Sequence, residues 1–243
     1  RWFINYYEEI KSVNKKIRYN IKTKGNCIMV KTLIVSGGKA EEKLFKEVNL
    51  NNQFNYIIAS DRGLEILDKF NIIPDYIVGD FDSIDKNILE KYVNNKEIII
   101  KRLNPEKDYT DTHMAIKLAI ELESKDIIIL GAIGTRIDHT IANIHILKEG
   151  LEKNIKCKVI NSNNEIQLIN KKTILKLDNN YKYISLIPLT TKVKGISLKG
   201  FKYSLSNATL EIGHSLGVSN EQLEDYAEID LKEGILILIK SKD

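Results

Sequence analysis

Pro74-Asp75-Tyr76-Ile77-Val78-Gly79-Asp80-Phe81-Asp82-Ser83 sets a strand, a glycine and two carboxylates in one short run. Tyr76-Ile77-Val78 has the unbroken β-branched and aromatic content of a strand covered on both faces. Gly79 allows close backbone approach at the strand's carboxyl end. The Asp-x-Asp that follows puts two carboxylates just outside that end. Like charges so close repel unless a cation neutralises them. Oxygen-only ligands suit Mg²⁺, which keeps several waters and borrows the rest of its shell from substrate phosphates. The competing reading is that one acid merely caps the next helix, as Ser83 or Asp85 equally could.

Outward from this run, short Ile- and Val-rich segments alternate with helical stretches from Lys31 to about Cys157, the rhythm of βαβ units and a parallel sheet. The expected strands are Thr32–Val35, Tyr56–Ala59, Tyr76–Val78, Glu97–Ile100 and Asp126–Leu130. Ala115, Leu118, Ala119 and Leu122 recur at helical spacing, as do Ile137, Ile141, Ile144, Leu147 and Leu151, giving two amphipathic crossover helices. Ligands of such a sheet bind beyond the carboxyl ends of the strands, where loops converge and helix N-termini point their free N–H groups. The residues there are Ser36-Gly37-Gly38, Asp61 with Gly63, Asp80 with Asp82, Asp108 with Asp111, and Gly131 through Asp138. Asp108 and Asp111 also resemble a weak capping box. Ser36-Gly37-Gly38 could cradle phosphate but is not a Walker loop, since no Gly-Lys-Ser/Thr follows, and a plain tight turn explains it as well. Arg136 offers planar donors for phosphate oxygens, with a salt bridge to Asp138 as the alternative. His113, His139 and His145 share no ligand spacing, and His113 and His145 suit a helix surface.

After Asn154 the rhythm changes to short alternating segments: Tyr181–Leu186, Val193–Leu198, Thr209–Ile212, Ala227–Leu231 and Ile235–Ile239. These imply a small antiparallel β-domain, with Glu233-Gly234 turning the last two into a closing hairpin. The expected division is 1–29 a tail or extension, the chain opening on Arg1 with Met29 the next available start, 30–156 an α/β domain, and 157–243 a β-domain. With 43% hydrophobic and 29% charged residues a packed core is expected. The net charge of +4 is spread as scattered lysines, which argues against a nucleic-acid partner. The apolar runs are too short for a membrane span. Two cysteines, Cys27 and Cys157, without metal spacing fit a reducing cytoplasm.

Taken together, Ser36-Gly37-Gly38, Asp61-Arg62-Gly63, Pro74 to Ser83, Pro105-Glu106-Lys107-Asp108-Tyr109-Thr110-Asp111, Gly134-Thr135-Arg136-Ile137-Asp138-His139 with Asn143, and Gly213-His214-Ser215-Leu216-Gly217-Val218-Ser219-Asn220-Glu221 resemble the bacterial thiamine pyrophosphokinases in order and spacing. The resemblance runs from about Lys31 to the C-terminus. It implies a Rossmann-like α/β nucleotide domain followed by a small antiparallel β-sandwich, a homodimer with its active site between subunits, and transfer of a diphosphoryl group from ATP to the thiamine hydroxyl with release of AMP. It implies Mg²⁺ on Asp80, Asp82 and Asp111, which would also be the catalytic residues, with no dedicated general base apparent. It further implies nucleotide contacts from Ser36, Gly37, Gly38, Asp61, Lys107, Asp108, Thr110, Arg136 and Asp138, and thiamine contacts from Ser215, Ser219 and Asn220. The family's second-strand motif often reads Asp-Gly-Gly, and Arg62 fills the middle position here. The single tryptophan is Trp2, so a ring stacked on thiamine would come from elsewhere, with Tyr203 and Phe201 as candidates. Two other classes are weighed beside this one. A nucleotide-sugar glycosyltransferase would share the Asp-x-Asp but leave the Ser-Asn-Glu segment unexplained, and a non-catalytic thiamine or nucleotide sensor would not need intact carboxylates at 80, 82 and 111.

Overall fold

The computed structural model describes residues 29–103 and 108–243. Lys107 and residues 1–28 of the expected tail lie outside the described residues. Strands β1 (Lys31–Val35), β2 (Tyr56–Ser60), β3 (Tyr76–Gly79), β4 (Ile99–Arg102) and β5 (Asp126–Leu130) are all parallel, in the order β4-β3-β2-β1-β5. The fourth strand starts two residues later than its Ile content suggested. Asn95 takes the Glu97 amide on its side chain at 3.0 Å and the Ile98 amide on its carbonyl at 3.2 Å, so a turn holds both residues out of the ladder.

Alternation along each strand feeds two cores. Leu33, Val35 and Ile77 pack with Phe45, Leu64 and Leu67 beneath α1 (Glu42–Asn51), α2 (Gly63–Lys69) and α3 (Lys86–Val93). Ile34, Ile58 and Ile127 pack with Ala115, Ile116 and Leu147 beneath α4 (Asp111–Glu121), α5 (Ile137–His145) and α6 (Lys148–Glu152). Burial on both faces is why these strands read as continuous Ile and Val. From β1 the chain steps outward through β2 and β3 to β4, and α4 then carries it back to β5 on the other side of β1. The sheet's direction of growth therefore reverses between β1 and β5.

The second crossover departs from expectation. The helix from Ile137 breaks at His145 and resumes at Lys148, and the first half of its apolar stripe faces solvent, with Ile137 63% and Ile141 49% exposed. Only Ile144, Leu147 and Leu151 turn into the core.

Beyond β5 the same sheet continues. Strand β6 (Lys156–Ile160) runs parallel to β5, and β7 (Asn164–Ile169), β13 (Leu236–Ser241) and β9 (Tyr183–Pro188) extend it antiparallel to a total of nine strands. Residues 156 and 157 both lie within β6, so the sheet is unbroken across the expected division. A four-stranded antiparallel sheet, β11 (Leu205–Glu211), β10 (Lys192–Lys199), β12 (Tyr226–Asp230) and β8 (Thr173–Lys176), covers its far end. Leu186, Leu236 and Leu238 of the large sheet meet Leu175, Val193, Ile196 and Ile229 of the small one, forming the sandwich core. The closing hairpin does not form. Strand β12 pairs with β10 and β8, whereas β13 pairs with β7 and β9. Gly234 does turn, at φ +99°, but the turn carries the chain from one layer to the other. Ile229 and Leu236 then face each other across the core instead of lying side by side in one sheet.

Between the helix-covered core and the sandwich core, on the face shared by Ile160 and Leu238, Glu165 accepts from Lys158 at 2.6 Å and pairs with Lys240 at 3.3 Å. Burial would raise the Glu165 carboxyl, but the two lysines outweigh it and hold it below its usual value. No helix among the described residues is long and apolar enough to cross a membrane.

Candidate active site

The loops after β1 and β5 meet where the sheet reverses, and they meet too closely for side chains. The Ser36 amide donates to the Leu130 carbonyl and the Gly38 amide to the Gly131 carbonyl, each at 2.8 Å. A Cβ on Gly38 would sit 2.3 Å from the Gly131 oxygen, and one on Gly131, at φ +69°, would sit 2.2 Å from the Ser36 oxygen. Ser36-Gly37-Gly38 is thus a backbone crossing rather than an open turn. The Ser36 hydroxyl is buried and lies 2.9 Å from that of Thr112, which ties the first turn of α4 to the end of β1.

Asp61, Asp80 and Asp82 gather at the next two strand ends. Asp61 takes a left-handed conformation, φ +48°, and its amide donates to the Val78 carbonyl at 2.8 Å, locking β2 to β3. Its Oδ2 accepts from the Ser83 hydroxyl at 2.5 Å, while Oδ1 is buried with no hydrogen-bond partner. Such an orphaned carboxylate oxygen is costly unless a ligand or cation meets it. Phe81 is also left-handed, φ +67°, and sinks its ring into the core beneath α3, so Asp80 and Asp82 on either side remain toward solvent. The Asp82 amide closes the turn on Asp80 Oδ1 at 3.1 Å. Neither acid caps the next helix. That role falls to Asp85, which accepts from the Asn87 and Ile88 amides at 2.8 and 3.4 Å. Asp80 and Asp82 also line a cavity of about 420 Å³ walled by Ile84, Leu89, Val93 and Arg102, whose guanidinium stacks 5.4 Å over the Phe81 ring. The volume falls within the range of small-molecule sites.

Asp111 opens α4 one residue after its cap. Thr110, not Asp108, caps the helix, its hydroxyl accepting from the His113 amide at 3.2 Å. Among the described residues no three His, Cys, Asp or Glu side chains come together closely enough to hold a metal, so Asp80, Asp82 and Asp111 are not gathered into a cage. The donor chemistry still fits Mg²⁺, which is commonly held by one or two carboxylates plus waters and phosphates. Arg136 and Asp138 are both exposed and bond each other at 2.6 and 3.3 Å, and this contact holds the Asp138 carboxyl below its usual range. Arg62 similarly pairs with Glu65 at 3.3 Å along α2. Asn143 does a job its motif did not announce: its buried amide donates to the Ala132 carbonyl at 2.8 Å and holds the loop after β5. The helical position of Asn143 opposite that loop was the signal available.

In the second half, the segment from Gly217 to Asn220 lies along the outer edge of β9. The Leu186 amide donates to Gly217 at 2.8 Å, and Ile184 and Asn220 exchange backbone bonds at 2.7 and 3.0 Å. Ser215 and Ser219 are exposed, and the Ser219 amide bonds the Ser185 hydroxyl at 3.0 Å. Asn220 is buried and works as a clip: its Oδ1 accepts from the Tyr203 and Glu221 amides at 3.0 and 2.9 Å, and its Nδ2 donates to the Tyr203 carbonyl at 2.7 Å. Of the two candidate rings, Phe201 is withdrawn into the sandwich core, whereas Tyr203 is exposed.

A family model described as thiamin pyrophosphokinase, catalytic domain, matches residues 48–159, and one described as thiamin pyrophosphokinase, vitamin B1 binding domain, matches residues 171–236. The thiamine pyrophosphokinase of Bacillus subtilis is 32% identical over 215 residues, covering 88% of this chain and 100% of that protein. Its crystal structure superposes with a TM-score of 0.79 over 88% of this chain and 99% of that one. The thiamin pyrophosphokinase of Geobacillus thermodenitrificans, 26% identical, superposes with a TM-score of 0.77 over 88% of this chain and 98% of that one. Both halves match in order and across the junction between them, and the chain belongs to the thiamine pyrophosphokinase family.

Proposed function

We propose that the chain transfers the diphosphoryl group of ATP to the hydroxyl of thiamine, giving thiamine diphosphate and AMP. The observation that carries this reading is the union in one chain of a matched catalytic half, with Asp61, Asp80 and Asp82 at the strand ends, and a matched vitamin-binding half. Bound Mg²⁺ would neutralise charge on the triphosphate and on the departing AMP. Asp80 and Asp82 would hold that ion, Asp111 would approach from the first turn of α4, and the orphaned Asp61 Oδ1 would be free to meet a donor of the bound substrate. The glycine crossing after β1 and β5 would bring backbone close to the phosphates. Arg136 would leave Asp138 to meet them, an exchange that costs little at an exposed ion pair.

The reaction needs two copies. Within one chain the carboxylates stand at the end of β3, and Ser219 and Asn220 lie beside β9, seven strand spacings away in the order β3-β2-β1-β5-β6-β7-β13-β9. At roughly 4.8 Å per spacing that is on the order of 33 Å, too far for one thiamine to span. A second copy would bring its vitamin-binding edge to these carboxylates. Ile137 and Ile141, Leu216 and Val218 are exposed apolar side chains suited to such a contact.

Incubation with ATP, Mg²⁺ and thiamine, followed by separation of the nucleotides, tests the activity. Thiamine-dependent AMP in equal amount with thiamine diphosphate is expected, and ADP or no turnover refutes it. Sedimentation would give a dimer, and a strictly monomeric active enzyme would overturn the shared site.

A further inference from the structure

Four side chains that no part of the proposed chemistry uses form a closed circuit beside the loop leading into α4. His113 and Lys117 stand one turn apart on α4, and both reach Glu149 Oε1 on α6 at 3.0 Å. Tyr109, just ahead of the Thr110 cap, touches both. Its ring lies edge-on to the His113 imidazole with centroids 4.7 Å apart and 79° between planes, and the Lys117 ammonium is 4.8 Å from its centroid. Each member therefore contacts two others. Burial would raise the Glu149 carboxyl, but the bonds from His113 and Lys117 outweigh it and keep the acid ionised. The circuit is anchored on α6 and closes over Tyr109, which follows Asp108 and stands two residues ahead of Asp111.

That location gives it a purpose. Thr112 ties the first turn of α4 to β1 through Ser36, but the loop ahead of the helix can still swing about that turn, and the Thr110 cap acts only within it. Tyr109 is 44% exposed, so burial of its ring is not what keeps it there. The aromatic edge contact and the cation over the ring each hold it in a defined orientation. We propose that Tyr109, His113, Lys117 and Glu149 are a positioning clasp that fixes the segment Asp108–Asp111 against α6 and so sets where Asp111 meets Mg·ATP. Its substrate side rests on the diphosphotransfer reading above. None of the four touches a reacting atom.

The test uses Tyr109→Ala, Tyr109→Phe, Glu149→Ala and the double alanine variant in the full chain, with two readouts. The first is hydrogen exchange of the His113 and Met114 amides, which bond the Thr110 side chain and carbonyl, in protein without substrates. The second is the KM for Mg·ATP against that for thiamine. Each alanine variant should speed exchange and raise the Mg·ATP KM by roughly three- to tenfold while leaving the thiamine KM within about twofold, and the double variant should be no worse than either single. Tyr109→Phe, which keeps the ring, should restore both. Unchanged exchange, a parallel rise in both KM values, additive effects, or a phenylalanine variant as impaired as alanine would overturn the clasp. If the wild-type protein makes no AMP, the diphosphotransfer reading fails, and exchange alone still decides whether the clasp holds the loop.

Discussion

Replacing Gly63 by alanine sets two effects of opposite sign against each other. Gly63 is the first residue of α2, and alanine at a helical position favours the helix by up to about 1 kcal/mol. Against that, a Cβ at 63 would lie 1.8 Å from the Val35 carbonyl oxygen and 2.5 Å from its carbon, where ordinary contact begins at 3.4 Å. Both atoms are backbone of the central strand and cannot rotate aside. The helix must withdraw by about 1.6 Å, the difference 3.4 − 1.8, taking with it Leu64 and Leu67, which are fully buried in the core it shares with β1. Overpacking of that kind costs about 1–3 kcal/mol and occasionally more. The clash wins, with a net loss of roughly 1–2 kcal/mol, and for a chain of this size the melting temperature should fall by roughly 2–8 °C. Asp61 stands two residues ahead, held by the Val78 carbonyl and Ser83, so the same movement should raise the KM for Mg·ATP. Thermal melting and initial rates measure the two parts. An alanine variant as stable as the wild type, or more so, would refute the reasoning, because it would mean that helix propensity outweighs the contact.

Asp82→Asn keeps the side chain's shape and removes one charge beside Asp80; activity should fall by two or more orders of magnitude, at about 1.4 kcal/mol per tenfold, and near-normal rates at limiting Mg²⁺ would remove Asp82 from the mechanism. Asn220→Ala strands the Tyr203 and Glu221 backbone groups, costing about 1–3 kcal/mol in a urea titration. It should raise the thiamine KM more than the ATP KM, and the reverse pattern would move it out of the vitamin site. Burial pushes the Lys101 ammonium down to about 8, partly opposed by Glu121 at 4.0 Å. A folded-state value below the unfolded 10.5 means that charged Lys101 is destabilising below pH 8, and that stability is regained as pH rises from 8 towards 10.5. Lys101→Met should therefore be more stable than wild type at pH 7 by at most about 3 kcal/mol, with the gap closing across that window; a gap independent of pH would refute the assignment.

The parallel strands were legible because burial on both faces leaves a mark in composition: Leu33, Ile34 and Val35 admit no polar residue. The strand-end acids were legible for the complementary reason, since Asp61, Asp80 and Asp82 interrupt apolar runs where the backbone must leave the sheet. What composition records is apolarity, not its partner. Ile137 and Ile141 continue the spacing of Ile144 and Leu147, yet among the described residues both are left largely exposed. Gly234 announces a turn but not which sheet each arm will join. Asn220 reads like a ligand in a polar loop, and only the approach of Tyr203, distant in sequence, reveals its amide as a clip. Thr110 took the cap from Asp108 because helix α4 starts at Asp111, a boundary that periodicity alone leaves loose.

The unbroken nine-stranded sheet acts as a beam through both halves of the chain. Because β6 bonds β5 on one side and β7 on the other, no flexible joint separates the catalytic half from the half that matches vitamin B1-binding domains. A substrate held between copies could not be enclosed by one half folding over the other. In the two-copy site proposed above, closing motion would have to come from loops or from one rigid copy rolling on the other. The same beam means that the residues from 157 onward are not a detachable module: cut free, they would carry β6 as a raw edge of unpaired amides and carbonyls, open to the next molecule of the same fragment.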